Sequence, residues 1–133
     1  MTIQQFLTAT IDEHRPTIRS QGVEVDLDCD HDITAVLTPD VRCAVDLLLF
    51  HAIECSTTGG TVSVSVVQTS TDVNIEIADS SDLSVESACA GSIAVARATR
   101  QLRIAGCSMK VLNCPQGGVA YSINVPRLAR AAA

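Results

Sequence analysis

The sequence predicts an α+β protein, a two-layer α/β sandwich in which about three helices pack on one face of a mixed, mainly antiparallel sheet. Three observations lead to this class. Apolar residues recur at helical spacing in three segments, and they alternate with polar residues in several others. A helical segment followed by two strand-like segments occurs three times along the chain, so helices and strands are grouped rather than alternating singly.

Size and composition limit the possible functions. The chain has 133 residues, which predicts one domain over residues 1–126 and a short C-terminal tail over 127–133. A net charge of −6 argues against nucleic acid or an anionic membrane as partner. The sequence has neither an apolar run of membrane-spanning length nor a signal-peptide pattern. We therefore expect a cytoplasmic protein.

The first segment combines a helix and a strand. Apolar residues from Ile3 to Ile18 fall at helical spacing, which predicts a helix from about residue 2 to about 20. Pro16 should kink or divide this helix, and Gly22 should end it. Residues 23–29 alternate strictly and predict a strand, and residues 33–37 predict a short second strand.

The first strand has an acidic outer face that continues into the next loop, formed by Glu24, Asp26, Asp28, Asp30 and Asp32. The last three have the spacing of the first ligands of a calcium loop. That loop also needs a glycine at position six and a glutamate at position twelve, and neither is present. A solvated strand face is therefore favoured.

The central segment begins at Thr38-Pro39-Asp40, which predicts a helix start with an N-cap, a proline in the first turn and an acid near the positive end of the dipole. The helix should run to about residue 56. Its apolar residues extend beyond one stripe, so we expect it to be covered on two sides. After Gly59-Gly60, the alternating runs 61–66 and 73–77 predict an antiparallel hairpin, and 80–86 reads as a loop.

A third helix is predicted over residues 91–103, with Ile93, Val95, Ala96, Thr99 and Leu102 facing inward. Its three arginines, Arg97, Arg100 and Arg103, form a basic stripe. A solvated face is favoured over a docking face for this stripe. Residues 109–112 and 119–125 predict the last two strands, joined by a turn at 115–118.

Six cysteines, at positions 29, 43, 55, 89, 107 and 114, include no Cys-x-x-Cys pair. Zinc knuckles need two ligands close together in sequence, so we expect no metal. In an intracellular protein these residues should be reduced, small and mostly buried.

Residues 47–56 read Leu-Leu-Leu-Phe-His-Ala-Ile-Glu-Cys-Ser and are followed by Gly59-Gly60. This stretch resembles the asparagine helix of the histidine-kinase-like (GHKL or Bergerat-fold) ATPases, which reads Asn-Leu-Leu-x-Asn-Ala-x-Lys-Tyr-Thr and then x-x-Gly-Gly. The closing strand, residues 118–126, is similar to the family's Gly-Thr-x-Phe-x-Phe-x-Leu-Pro. The element order also matches the ATP-binding domain of sensor histidine kinases, so the resemblance covers essentially the whole chain.

The residues at the family's functional positions differ from the motif. The resemblance places His51 where an asparagine ligates magnesium, Leu47 where the first asparagine stands, and Glu54 where the family often has a phosphate-facing lysine. Imidazole is a poor ligand for magnesium, which prefers oxygen. A carboxylate at residue 54 would repel a triphosphate.

The family's Asp-x-Gly-x-Gly motif corresponds to Asp79-Ser80-Ser81-Asp82-Leu83. In the family this aspartate accepts a hydrogen bond from the adenine amino group, whereas a plain turn-forming role explains Asp79 equally well. Both glycines are replaced. Of the family's Gly-x-Gly phosphate loop only Gly91 remains. A vestigial nucleotide site would therefore comprise Asp79, His51, Ser81 and Gly91, with no catalytic residue.

The resemblance implies three functions, in this order. The first is a degenerate ATPase module that no longer turns over ATP and binds a protein partner in a two-component-type signalling pathway. The second is a residual ATP- or ADP-binding domain of a histidine kinase or anti-sigma-type protein kinase, with magnesium. The third is a histidine phosphotransfer protein using His14 or His51. For His51, a hydrogen-bonded, partly buried histidine is favoured over a metal ligand.

Overall fold

The computed structural model describes residues 1–33 and 35–127. The elements within these residues are, in order, α1 (Ile3–Glu13), α2 (Arg15–Gln21), β1 (Glu24–Cys29), α3 (Pro39–Cys55), β2 (Thr61–Gln68), β3 (Asp72–Ala78), α4 (Val85–Cys89), α5 (Ile93–Ile104), β4 (Ser108–Asn113) and β5 (Val119–Pro126). The strands form one mixed sheet of order β1-β2-β3-β5-β4. The β1–β2 pair is parallel and the other pairs are antiparallel, which confirms the predicted class.

One face of the sheet carries the core. The inward residues of the three central strands are almost fully buried: Val62, Val64 and Val66 of β2, Val73, Ile75 and Ile77 of β3, and Val119, Tyr121 and Ile123 of β5. The opposite face is polar, with Asp26 paired beside Ser63 and Glu76 beside Ser122. Because side chains alternate along a strand, this pattern needs helices on one side of the sheet only.

The first helical segment divides as predicted. Thr2 and Gln5 form a reciprocal capping box at the start of α1. The helix ends at His14, and α2 restarts with Pro16 in its first turn, where a missing N–H costs nothing. Gly22, in the left-handed conformation, closes α2 and turns the chain into β1.

Helix α3 packs against α5 and against the sheet and forms the middle of the core. Thr38 caps its N-terminus, with the hydroxyl accepting from the Val41 N–H. Seven of its residues are buried, over more than one stripe, as the sequence predicted: Val41, Ala44, Val45, Leu48, Leu49, Ala52 and Ile53. At its C-terminus, the Ser56 hydroxyl donates to Ala52 O and accepts from Ser80 N, which fixes the end of α3 beside the end of β3.

Two predicted elements differ in the structure. Residues 33 and 35–37 form no strand: Ile33 and Leu37 are buried and Val36 is 84% exposed, so the alternation is real, but the sheet ends at β1 and offers them no ladder. The predicted loop over 80–86 leads into a short helix, α4. A five-residue helix contains too few turns to show a periodicity in the sequence.

Two burial predictions are also wrong. Ile93 is 76% exposed and Ala96 is exposed, because α5 turns Val95, Ala98 and Leu102 toward the core instead. The six cysteines are free thiols, but five are half-buried and Cys43 is exposed. They lie at strand ends, helix ends and outward helix positions rather than in the centre. The predicted tail from 127 to 133 lies outside the described residues except for Arg127.

Candidate functional site

The candidate site lies where β3 ends, β5 begins and α3 finishes. Asp79 follows β3 directly and is only 5% exposed. Its Oδ1 atom accepts two backbone hydrogen bonds, from Ser81 N at 3.0 Å and from Val119 N at 2.9 Å. Its own N–H donates to Val119 O at 2.9 Å. One carboxylate oxygen therefore closes the turn after β3 and joins it to the first residue of β5.

This junction depends on a glycine. Gly118 has φ +91°, and a Cβ at this position would lie 2.2 Å from Asp79 O and 3.1 Å from Asp79 Oδ1. Only a residue without a side chain lets the β4–β5 connection approach Asp79 this closely. The family-like Gly118-Val119 pair is thus part of the site's construction as well as of the sheet.

The other carboxylate oxygen has a different environment. Asp79 Oδ2 is buried and has no hydrogen-bond partner among the described residues, and the same is true of the Tyr121 hydroxyl. Tyr121 is fully buried in β5. Burial raises the pKa of its hydroxyl above the ordinary value, and the nearby Asp79 carboxylate raises that pKa further. Two polar groups without partners are therefore enclosed in one part of the core, an arrangement that costs folding free energy.

His51 closes the site from the side of α3. Its Nε2 lies 3.0 Å from Ala88 O, and because a carbonyl oxygen only accepts, Nε2 carries the proton. Cys55 lies one turn further along, with Sγ 3.6 Å from His51 Nε2 and 3.9 Å from His51 Nδ1. The thiol therefore packs against the ring. The ring also contacts Tyr121 edge-on at a centroid distance of 6.0 Å. His51 is therefore half-buried and hydrogen-bonded, as the sequence predicted.

Helix α4 covers this end of α3. Ala88 is 3% exposed, and its carbonyl is the acceptor of the His51 bond. The start of α4 is held by a hydrogen bond from Val85 N to Asn113 Oδ1 at the end of β4. Cys89 is half-buried, and burial raises the pKa of its thiol. The same cause, followed by Asp79 and Glu54, raises the pKa of Cys55, so both thiols are kept neutral.

Three of the four predicted site residues, Asp79, Ser81 and His51, lie in one region of the structure, and Gly91 lies outside it. Asp79 and Ser81 are joined directly, and Ser81 is 4% exposed with its hydroxyl accepting from Leu83 N. His51 faces the same enclosed region through Tyr121. Gly91 is exposed between α4 and α5, in the left-handed conformation, with open space around its Cα.

Sequence reasoning missed Tyr121, Cys55 and Ala88 as parts of this site. The predicted strand over residues 119–125 includes Tyr121 but says nothing of its hydroxyl. Cys55 stands four residues after His51, a spacing that places two side chains on one helix face and could have suggested the contact. No pattern in the sequence indicated Ala88.

The residues of this site suit the adenine of an ATP–magnesium complex better than they suit its magnesium ion. A buried carboxylate oxygen without a partner, Asp79 Oδ2, suits a donor such as the adenine amino group. The magnesium position does not fit. His51 donates through Nε2 to Ala88 O, and an imidazole nitrogen is in any case a poor ligand for magnesium, which prefers oxygen.

His14 lies apart from this site. Its Nε2 atom is 2.7 Å from Asp46 Oδ1, and its ring contacts Phe50 at a centroid distance of 5.2 Å. Over the described part of the chain, no cluster of three or more His, Cys, Asp or Glu side chains could hold a metal ion. Among the same residues, no helix is long and apolar enough to cross a bilayer.

The element order, the sheet and the position of Asp79 give the chain the fold of the histidine-kinase-like ATPases. The chain is similar to the cytoplasmic segment of the histidine kinase QseC, with a TM-score of 0.74, 18% identity and coverage of 94% of this chain and 75% of that one. It is similar to the nucleotide-free catalytic domain of the histidine kinase ThkA, with a TM-score of 0.81, 12% identity and coverage of 96% of this chain and 93% of that one. It is also similar to the mycobacterial sensor histidine kinase MprB, with a TM-score of 0.75, 16% identity and coverage of 95% of each chain.

At these identities the likeness concerns the fold. No protein-family model matches the sequence, and no curated protein matches it. The predicted resemblance to the ATP-binding domains of sensor histidine kinases is therefore confirmed at the level of structure, over nearly the whole chain.

Replacing Tyr121 with phenylalanine should raise the free energy of unfolding by about 1 kcal/mol at pH 7, because it removes a buried hydroxyl without a partner and keeps the ring. Urea unfolding measures this change. A loss of more than about 1 kcal/mol would mean that the hydroxyl makes a hydrogen bond.

The same variant has a second readout at alkaline pH. The folded-state pKa of Tyr121 is raised above the unfolded value of about 10. Above about pH 10 the hydroxyl therefore loses its proton first in the unfolded state, and the free energy of unfolding of the parent chain falls as pH rises. The phenylalanine variant should lose less stability between about pH 10 and 11 than the parent chain.

Proposed function

We propose that this chain is a degenerate histidine-kinase-like ATPase module that acts by binding a protein partner in a two-component-type signalling pathway, and not by turning over ATP. The observation that carries the proposal is the state of His51. It stands where the family that the chain resembles has its magnesium-ligating asparagine, and its Nε2 atom donates a hydrogen bond to Ala88 O of the protein itself.

Three further features support loss of the phosphate half of the site. Leu47 offers no polar atom at the position of the first asparagine, and Glu54, on the exposed side of α3, would repel a triphosphate. Ser81 is buried where the family has a glycine that lets the backbone approach the nucleotide. Helix α4 is held near one end by the bond from His51 of α3 to Ala88 O and at the other end by the bond from Val85 N to Asn113 of β4. A fold kept without its phosphate chemistry is consistent with a role in protein contacts.

A residual adenine site is the second candidate, because one observation favours it. Asp79 Oδ2 is buried and has no partner in the described part of the chain, and an exocyclic amine would satisfy it. Because Oδ2 is buried, binding would require the residues around it to move. This candidate predicts weak binding of ADP that does not depend on magnesium.

The experiment is titration calorimetry of the whole chain with ATP and ADP, with and without magnesium. Asp79→Asn is the matched control, because Asn keeps the Oδ1 acceptor for Ser81 and Val119 but places an NH₂ group where Oδ2 stood. We expect no heat from ATP at millimolar concentration. Magnesium-independent ADP binding that disappears in Asp79→Asn would establish the second candidate. Micromolar, magnesium-dependent ATP binding would overturn the proposal.

A further inference from the structure

We infer that the outward surface of α5 is the docking site for the partner, and that the partner offers an acidic segment with aliphatic side chains; this inference rests on the proposed function. We call this surface the α5 outer face. Six exposed residues form it: Ile93, Ala96, Arg97, Arg100, Arg103 and Ile104.

The geometry of the helix brings these residues together. At about 100° per residue, Ile93, Arg97, Arg100 and Ile104 fall within a sector of about 60°. Ala96 and Arg103 adjoin that sector on one side. The buried residues of α5, Val95, Ala98 and Leu102, lie on the opposite side of the helix. The α5 outer face is therefore one continuous strip about 16 Å long, with an isoleucine at each end and arginines between.

The charge of this strip is not neutralised by the rest of the protein. Helix α5 holds three of the chain's nine lysine and arginine residues and no aspartate or glutamate. The ion pairs of the described residues are His14–Asp46, Arg15–Asp12 and His31–Asp32, so none of the α5 arginines takes part in one. Arg103 lies in the last turn and interacts favourably with the negative end of the helix dipole, whereas Arg97 and Arg100 have no such interaction.

Solvation alone does not account for the strip. Ile93 is 76% exposed and Ile104 is 71% exposed, and neither contributes to solubility. Exposed aliphatic side chains beside unpaired arginines are typical of protein contact surfaces, where arginine is enriched and charge sets orientation. The complementary segment therefore carries acids opposite the arginines and aliphatic groups opposite the two isoleucines.

Charge also favours a protein over a membrane or nucleic acid. The chain as a whole has a net charge of −6, and the edge strand β1 presents Glu24, Asp26 and Asp28 to solvent. A phosphate-rich polymer or an anionic bilayer extends well beyond one helix and would meet this repulsion. A short acidic segment can contact α5 alone.

The test is selection of a phage-displayed library of random peptides on the immobilised full chain, followed by fluorescence anisotropy with the enriched peptides made synthetically. Enriched peptides should combine aspartate or glutamate with leucine, isoleucine or valine. Arg100→Glu should weaken their binding about tenfold or more, and Ile104→Ser should weaken it severalfold. Arg19→Glu is the matched control, since Arg19 is also an exposed helical arginine and makes no ion pair in the described chain. It should change binding less than twofold.

Several outcomes would overturn the inference: no enrichment, peptides without acidic residues, or equal weakening by Arg100→Glu and Arg19→Glu. Binding to phosphatidylglycerol vesicles or duplex DNA that Arg100→Glu abolishes would assign the surface to another ligand. Nucleotide calorimetry on the same samples separates the two proposals. Acidic-peptide binding together with magnesium-dependent ATP binding would overturn the proposed function and leave the docking surface standing.

Discussion

Replacing Gly118 with alanine is expected to lower the free energy of unfolding by about 2–5 kcal/mol, the sum of left-handed backbone strain and overpacking. Gly118 has φ +91°, and the new methyl group would lie 2.2 Å from Asp79 O, a backbone atom that cannot move alone. Relief requires the β4–β5 connection to withdraw, which breaks the hydrogen bond from Val119 N to Asp79. Urea denaturation of both proteins measures the loss.

Gly117→Ala is the matched control for this prediction. Gly117 also has a positive φ, +98°, but a Cβ there would have nothing within 4 Å. It should cost only the backbone strain, about 1–2 kcal/mol. Equal losses in the two variants would mean that the close approach to Asp79 contributes nothing.

Replacing Asp79 with alanine is the second large effect that we expect, a loss of about 2–6 kcal/mol. The substitution leaves the N–H groups of Ser81 and Val119 without the acceptor that Oδ1 provides, at about 1–3 kcal/mol for each buried group. Asp79→Asn keeps that acceptor and should cost about 1 kcal/mol, because the hydrogen bonds lose their charge assistance. Equal losses in the two variants would show that Oδ1 is not what holds the turn.

The sequence predicted most of the fold because most elements carry a local signal. Thr38-Pro39-Asp40 marked the start of α3, and alternation identified β1, β3 and most of β2. The errors came where a local pattern lacks its tertiary partner. Val36 and its neighbours alternate but have no strand to pair with, and Ile93 has the spacing of a core residue but lies on the outer side of α5.

The candidate site was predictable only at its centre. Asp79 could be located because it directly follows an alternating strand and matches the aspartate of the Asp-x-Gly-x-Gly motif in the family that the chain resembles. The acceptor role of its Oδ1 depends on Val119, forty positions later in the chain, and no local pattern joins the two. The bond from His51 to Ala88 likewise depends on α4, which the sequence did not show. Contacts between side chains that are distant in sequence depend on tertiary packing, and they leave no periodic pattern in a single sequence.

The most direct test of the central claim is a nuclear magnetic resonance titration with ATP and magnesium that follows the amide signals of Ser81 and Val119. These two N–H groups donate to Asp79, so any nucleotide that reaches the carboxylate must change their shifts. We predict that neither signal moves at millimolar ATP, as a module that acts only through protein contacts requires. Saturable shifts at micromolar ATP, dependent on magnesium and absent in Asp79→Asn, would contradict the account and make the chain a working nucleotide-binding domain.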